Sequence, residues 1–146
     1  MNADGAVFSK HKWTGIGVIA RDNQGQVVAA MSKKLEFPLG PLAIVAKAME
    51  VAAIFARDIG IQQVIFESDS LMVCSAIQGD SKASPAIANI IASTLHHMQM
   101  LRQFEICHTQ REGNKVAHGL AKYAQCIDDF VTWVEETPPI INSKVS

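Results

Sequence analysis

Cysteine is scarce in this chain of 146 residues: Cys74, Cys107 and Cys126 are the three it has, and they lie far apart. No pair has metal-ligand spacing, and an odd number argues against a disulfide framework. A reducing, intracellular setting, nucleus or cytoplasm, is the expectation. No apolar run approaches the ~18 residues of a membrane-spanning helix. The opening stretch, MNADGAVFSKHKW, lacks the pattern of a signal peptide. An excess of one charge is missing too, because 13 Lys and Arg stand against 14 Asp and Glu, a formal charge of −1. Any face that meets nucleic acid must therefore be local. Internal repeats and low-complexity segments are absent. What is present is 49% hydrophobic residues and 18% charged ones. That suffices for the core of one domain and excludes a wholly disordered chain.

The pattern predicts alternating strands and helices. ADGAVF reads as the last part of a first strand. GIGVIAR at 15–21 is β-branched and short, Asp22–Gly25 is a turn, and 26–35 is the return strand of a hairpin. EFPLGP at 36–41 breaks regular structure. A helix over 42–58 follows, with Leu42, Val45, Ala46, Met49, Ala52, Ala53 and Ala56 on one face and Gly60 beyond its end. Strands are expected at 62–68 and 103–109, and helices at 70–77, 84–100 and 114–125. This order implies an α/β layer fold with a mixed sheet. The domain is expected over 1–127, with an irregular tail over 128–146.

Two carboxylates stand out, Asp4 and Asp69, both placed at strand ends by this reading. Ligand sites of open α/β sheets gather at the carboxyl ends of strands. Carboxylates converging there suit Mg²⁺, which prefers oxygen ligands. Taken alone, Asp69 also suits a helix cap and Asp4-Gly5 a turn.

Several segments together are more specific: DGAVF at 4–8, GIGVIARDNQGQVVAAMSKKL at 15–35, AKAMEVAAIFARDIG at 46–60, VIFESDS at 64–70, REGNKVAHGLAKYA at 111–124 and VTWVEETPP at 131–139. In this order they resemble the type 1 ribonuclease H domain, closest to the reverse-transcriptase-like form abundant in plant genomes. The resemblance implies a ribonuclease H-like fold, a five-stranded mixed sheet flanked by helices on both faces. It also implies endonucleolytic hydrolysis of the RNA strand of an RNA–DNA hybrid by two Mg²⁺ (or Mn²⁺) ions about 3.5–4 Å apart.

By that motif Asp4 and Asp69 are the first and third of four metal-binding carboxylates. The second, a Glu in the first turn of the long helix, falls at Val45. Glu50 is no substitute, because five residues on it points about 140° around the helix. The fourth, an Asp, falls at His118, and an imidazole suits softer ions better than Mg²⁺. His108, near the end of the last strand, matches loosely a His that the family uses for proton transfer. Arg111 and Lys115 beside the site, and Lys10, Lys12 and Trp13 in a compact loop, are the candidate nucleic-acid contacts, through phosphate attraction and stacking.

These features predict a nucleic-acid-binding domain of ribonuclease H type with weakly bound metal. Its turnover is expected to be impaired by Val45 and His118. The alternative is an inactive module, binding nucleic acid or protein and derived from a retroelement. The sequence is silent on oligomeric state.

Overall fold

A computed structural model describes residues 1–8, 13–36 and 39–139. Six strands and four helices follow in the order β1 (Asn2–Phe8), β2 (Trp13–Arg21), β3 (Val27–Leu35), α1 (Pro41–Asp58), β4 (Gln63–Ser68), α2 (Leu71–Gln78), α3 (Ala88–Gln99), β5 (Gln103–His108), α4 (Lys115–Tyr123) and β6 (Phe130–Val134). The sheet order is β5-β4-β1-β2-β3-β6. Strands β1, β2, β3 and β6 pair antiparallel, whereas β1–β4 and β4–β5 are parallel. The expected α/β ribonuclease H-like architecture is therefore present.

The sheet has six strands where five were expected, and the sixth comes from the segment expected to be an irregular tail. FVTWV has the alternation of an edge strand, with Val131 and Trp133 half-buried and Phe130, Thr132 and Val134 exposed. Trp133 sits opposite Ala30, and its ring centroid lies 6.1 Å from that of Tyr123. That contact anchors a strand too short to be recognised among the Asp, Glu and Pro around it.

Helix α1 begins with Pro41 at its first position, where the missing N–H costs nothing. Its run of small residues lets Ala46, Ala48, Met49, Ala52, Ala53 and Ala56 all disappear into the core. This main core lies between one face of the sheet and α1, with Phe66 and Val18 fully buried in it. Helix α2 starts at Ser70, whose hydroxyl accepts from the Val73 N–H, and stops at Gly79 with φ 82°. The helix expected over 84–100 is shorter, opening at Ala88.

Helix α4 covers the opposite face, where Ile19, Ala30, Ala117 and Leu120 form a second, smaller cluster. Its approach depends on glycine. A Cβ on Gly17 would lie 2.1 Å from the Ala117 carbonyl oxygen, and one on Gly15 2.1 Å from that of Ala121. The helix thus rests directly on the backbone of β2. Helices cover both faces, and α1 and α4 converge where β1 runs past the end of β4.

Candidate nucleic-acid interface and its carboxylates

Asp4 sits inside β1 rather than at its end, because β1 continues to Phe8 along β2 after β4 has stopped. Across the parallel pair Asn2 stands opposite Glu67. Two residues further along, Asp4 comes level with Asp69, the first residue after β4. Both carboxylates line one cleft of about 620 Å³, together with Gly5, Val7, Pro41, Ile44, Val45, Arg111, Glu112, Lys115 and His118. Four distant segments are gathered there: β1, the start of α1, the end of β4, and the turn leading into α4.

The start of α4 is tied to β1 by a residue that sequence reasoning passed over. Asn114 is buried, and its Nδ2 donates to the Ala3 carbonyl at 2.9 Å. Its Oδ1 accepts from Asn2 Nδ2 at 3.2 Å, and Asn2 also donates to Glu67 at 3.2 Å. A polar side chain immediately before a helix was the available signal. The helix begins one residue later than expected, after a 3₁₀ turn over Arg111–Asn114.

This anchoring sets His118 against Asp4. His118 Nδ1 lies 2.9 Å from Asp4 Oδ2, and Asp4 Oδ1 accepts from the Gly5 N–H at 2.8 Å. Burial pushes the Asp4 carboxyl above the ordinary range, and the charge of Asp69 adds to that push. The Gly5 N–H and His118 oppose it without cancelling it.

Val45 lines the same cleft, half-buried, at the fifth position of α1. It therefore opens the second turn of that helix, not the first, because α1 starts at Pro41. Glu50 is elsewhere: it is buried and ion-paired with Lys47. Burial pushes its carboxyl up, but bonds from Lys47 and Ser93 and the nearby charges of Lys47 and His97 hold it below the ordinary value.

Among the other residues singled out by sequence, Arg111 and Lys115 are exposed and line the cleft. His108 does not line it; its Nε2 lies 3.2 Å from the backbone carbonyl of Asp69, just behind. Trp13 pairs with Phe8 four residues along β1 from Asp4, and the Lys34 ammonium sits 3.2 Å from its ring centroid. One face of that ring is thus occupied by a cation. Lys10 and Lys12 lie outside the described residues.

The donor set does not fit a two-ion centre. Both Asp4 oxygens have protein partners, and Val45 offers no donor. Among the described residues no group of three or more His, Cys, Asp or Glu is arranged to hold a metal ion.

Residues 2–124 match the family described as "Reverse transcriptase-like". No curated protein matches the chain in sequence. Solved structures do match in fold. Ribonuclease H1 from the halophilic archaeon Halobacterium salinarum NRC-1 superposes with a TM-score of 0.79 at 20% identity, over 86% of this chain and 95% of that one. The N-terminal RNase H domain of Rv2228c from Mycobacterium tuberculosis gives 0.75 at 17% identity, over 85% and 90%. LC11-RNase H1, solved in complex with RNA/DNA hybrid, gives 0.75 at 21% identity, over 84% and 93%.

Proposed function

The chain belongs to the reverse transcriptase-like family and forms a ribonuclease H-like domain, and from that premise we propose that it binds RNA–DNA hybrid and hydrolyses the RNA strand poorly. The observation that carries this reading is the cleft itself. Arg111 and Lys115 stand beside Asp4 and Asp69, while Val45 and His118 occupy the places of the two other carboxylates that the family resemblance implies. The first pair of residues attracts phosphate; the second pair removes half the charge available to a pair of divalent ions.

Any Mg²⁺ or Mn²⁺ drawn to Asp4 and Asp69 is held weakly on this reading, because two carboxylates answer only half of the charge of two divalent ions. Hydrolysis, where it persists, is endonucleolytic and slow. The complex of LC11-RNase H1 with RNA/DNA hybrid supports hybrid as the first ligand to try. The functional unit extends past the expected boundary at 127 to include β6 (Phe130–Val134), the edge strand of its sheet, and it works inside the cell, in nucleus or cytoplasm. A binding module without turnover is the second reading, favoured by the hydrogen bond that engages Asp4 with His118.

Hybrid binding is expected to depend on Arg111 and Lys115 as phosphate contacts. Arg111→Ala with Lys115→Ala is expected to weaken binding about tenfold at low salt, and to flatten the slope of log affinity against log salt by about 2. Fluorescence anisotropy of a labelled hybrid across a salt series reads both quantities. An unchanged slope would place the phosphate contacts elsewhere on the surface.

A further inference from the structure

We infer that the outer edge of β6 is a protein-binding site, which takes an extended peptide segment flanked by Lys or Arg as an added strand of the sheet. The inference stands apart from the cleft and does not rest on hybrid binding. β6 ends the sheet order, so among the described residues no strand pairs with its outer side. Its bonds to β3 fix which backbone groups point outward. The Lys34 N–H donates to the Asp129 carbonyl at 2.7 Å, and the Glu135 N–H to the Val28 carbonyl at 2.6 Å. Along an antiparallel pair, residues that bond to the neighbour alternate with residues that do not. Residues 129, 131, 133 and 135 therefore face β3, and the N–H and C=O groups of Phe130, Thr132 and Val134 point away from it. Such a row is a template for another strand. The side chains leave it open: Phe130 and Val134 are each 53% exposed, and FVTWV contains no charge, Gly or Pro that would blunt the edge.

The charges next to this edge decide its occupant. Asp128 and Asp129 precede the strand and Glu135 and Glu136 follow it, all four exposed. None of them is in an ion pair among the described residues. A second copy pairing antiparallel about Thr132 would set Asp128 against Glu136 and Asp129 against Glu135 at both ends, and like charges directly opposite destabilise a strand pair. The same acids repel nucleic acid. A segment with bases at both ends meets acids at both ends, whichever way it runs. Its alternate apolar side chains then lie beside Phe130 and Val134. In this mode main-chain hydrogen bonds supply the affinity, and the flanking charges select the partner.

The test uses the whole chain and two labelled peptides of alternating valine and threonine, one with a pair of lysines at each end and one with a pair of glutamates. Both are titrated by anisotropy at low salt. The lysine peptide is expected to bind with a dissociation constant of about 10–100 µM, and the glutamate peptide about tenfold or more weaker. Asp128→Lys combined with Glu136→Lys is expected to invert that preference. Thr132→Pro removes an outward N–H and no bond to β3, and is expected to weaken the lysine peptide about tenfold or more. A thermal melt checks that this variant folds, and the charge inversion stands without it. Amide exchange followed by NMR is expected to find the N–H groups of Phe130, Thr132 and Val134 open in the chain alone and protected once the lysine peptide is bound. Protection of these amides before any peptide is added means that the edge is already taken, by this chain or by a second copy, and overturns the inference. Equal binding of the two peptides, or binding of neither, overturns it as well.

Discussion

Val45→Glu combined with His118→Asp is expected to raise cleavage of an RNA–DNA hybrid at fixed Mg²⁺ by about 100-fold or more over the parent chain. The size follows from cooperation, because members of a catalytic unit act together and the loss of one removes most of the benefit of the rest. Position supports it: Val45 lines the cleft that holds Asp4 and Asp69, so a carboxylate there adds an oxygen donor without moving the backbone. Replacing His118 frees Asp4 Oδ2 from its 2.9 Å hydrogen bond and adds a fourth acid.

The change has a cost. Burial already pushes the Asp4 carboxyl up, and new acids nearby increase the repulsion. The double variant should therefore melt lower in EDTA than in Mg²⁺. Because Val45 opens the second turn of α1, the helix dipole gives its replacement little help. Each single variant is expected to fall well short of the double one. A gel assay of the four proteins on one labelled hybrid decides the matter. Cleavage by the parent at the rate of the double variant would mean that Val45 and His118 do not mark lost ligands.

Gly17→Ala is expected to cost about 3 kcal/mol or more of stability, which for a chain of this length lowers the melting temperature by about 10 °C. The added Cβ would lie 2.1 Å from the Ala117 carbonyl oxygen, 2.4 Å from the Ala121 nitrogen and 2.7 Å from the Leu120 Cβ. Two of those atoms belong to helix backbone and cannot rotate away. Helix α4 must lift from β2, and His118 rides on that helix, so its contact with Asp4 should be lost as well. Gly40→Ala is the control. A Cβ there meets nothing within 4 Å, and because Gly40 is the N-cap of α1, where alanine caps less well, the expected cost is about 1 kcal/mol, well below that at Gly17. A thermal melt of Gly17→Ala within a few degrees of the parent would show that α4 does not sit on the β2 backbone.

The glycines show what was legible and what was not. GIGVIAR reads as a strand from its β-branched residues, and it is one. That its glycines are seats for a helix a hundred residues away follows from tertiary contact alone. The same division holds at the cleft. Spacing and motif were enough to single out Asp4, Asp69, Val45 and His118, because those residues sit within recognisable segments. The hydrogen bond joining His118 to Asp4 spans the whole chain and is invisible before folding. Helical angle alone excluded Glu50, and its pairing with Lys47 away from the cleft agrees. Asn114 and β6 were passed over for opposite reasons. The first is one polar residue whose burial depends on Ala3 and Asn2. The second is a short strand held by its pairing with β3 and by a ring contact between Trp133 and Tyr123.

The central claim is that this cleft binds hybrid and scarcely cuts it, and one sample tests both halves. The parent chain, in excess over a labelled RNA–DNA hybrid in Mg²⁺ at low salt, is followed by anisotropy, and the RNA strand is then sized on a denaturing gel. The account predicts a saturated binding signal with the RNA strand still largely intact at times when the Val45→Glu, His118→Asp variant has cut it. A bound hybrid whose RNA strand is cut as fast by the parent as by that variant would contradict it.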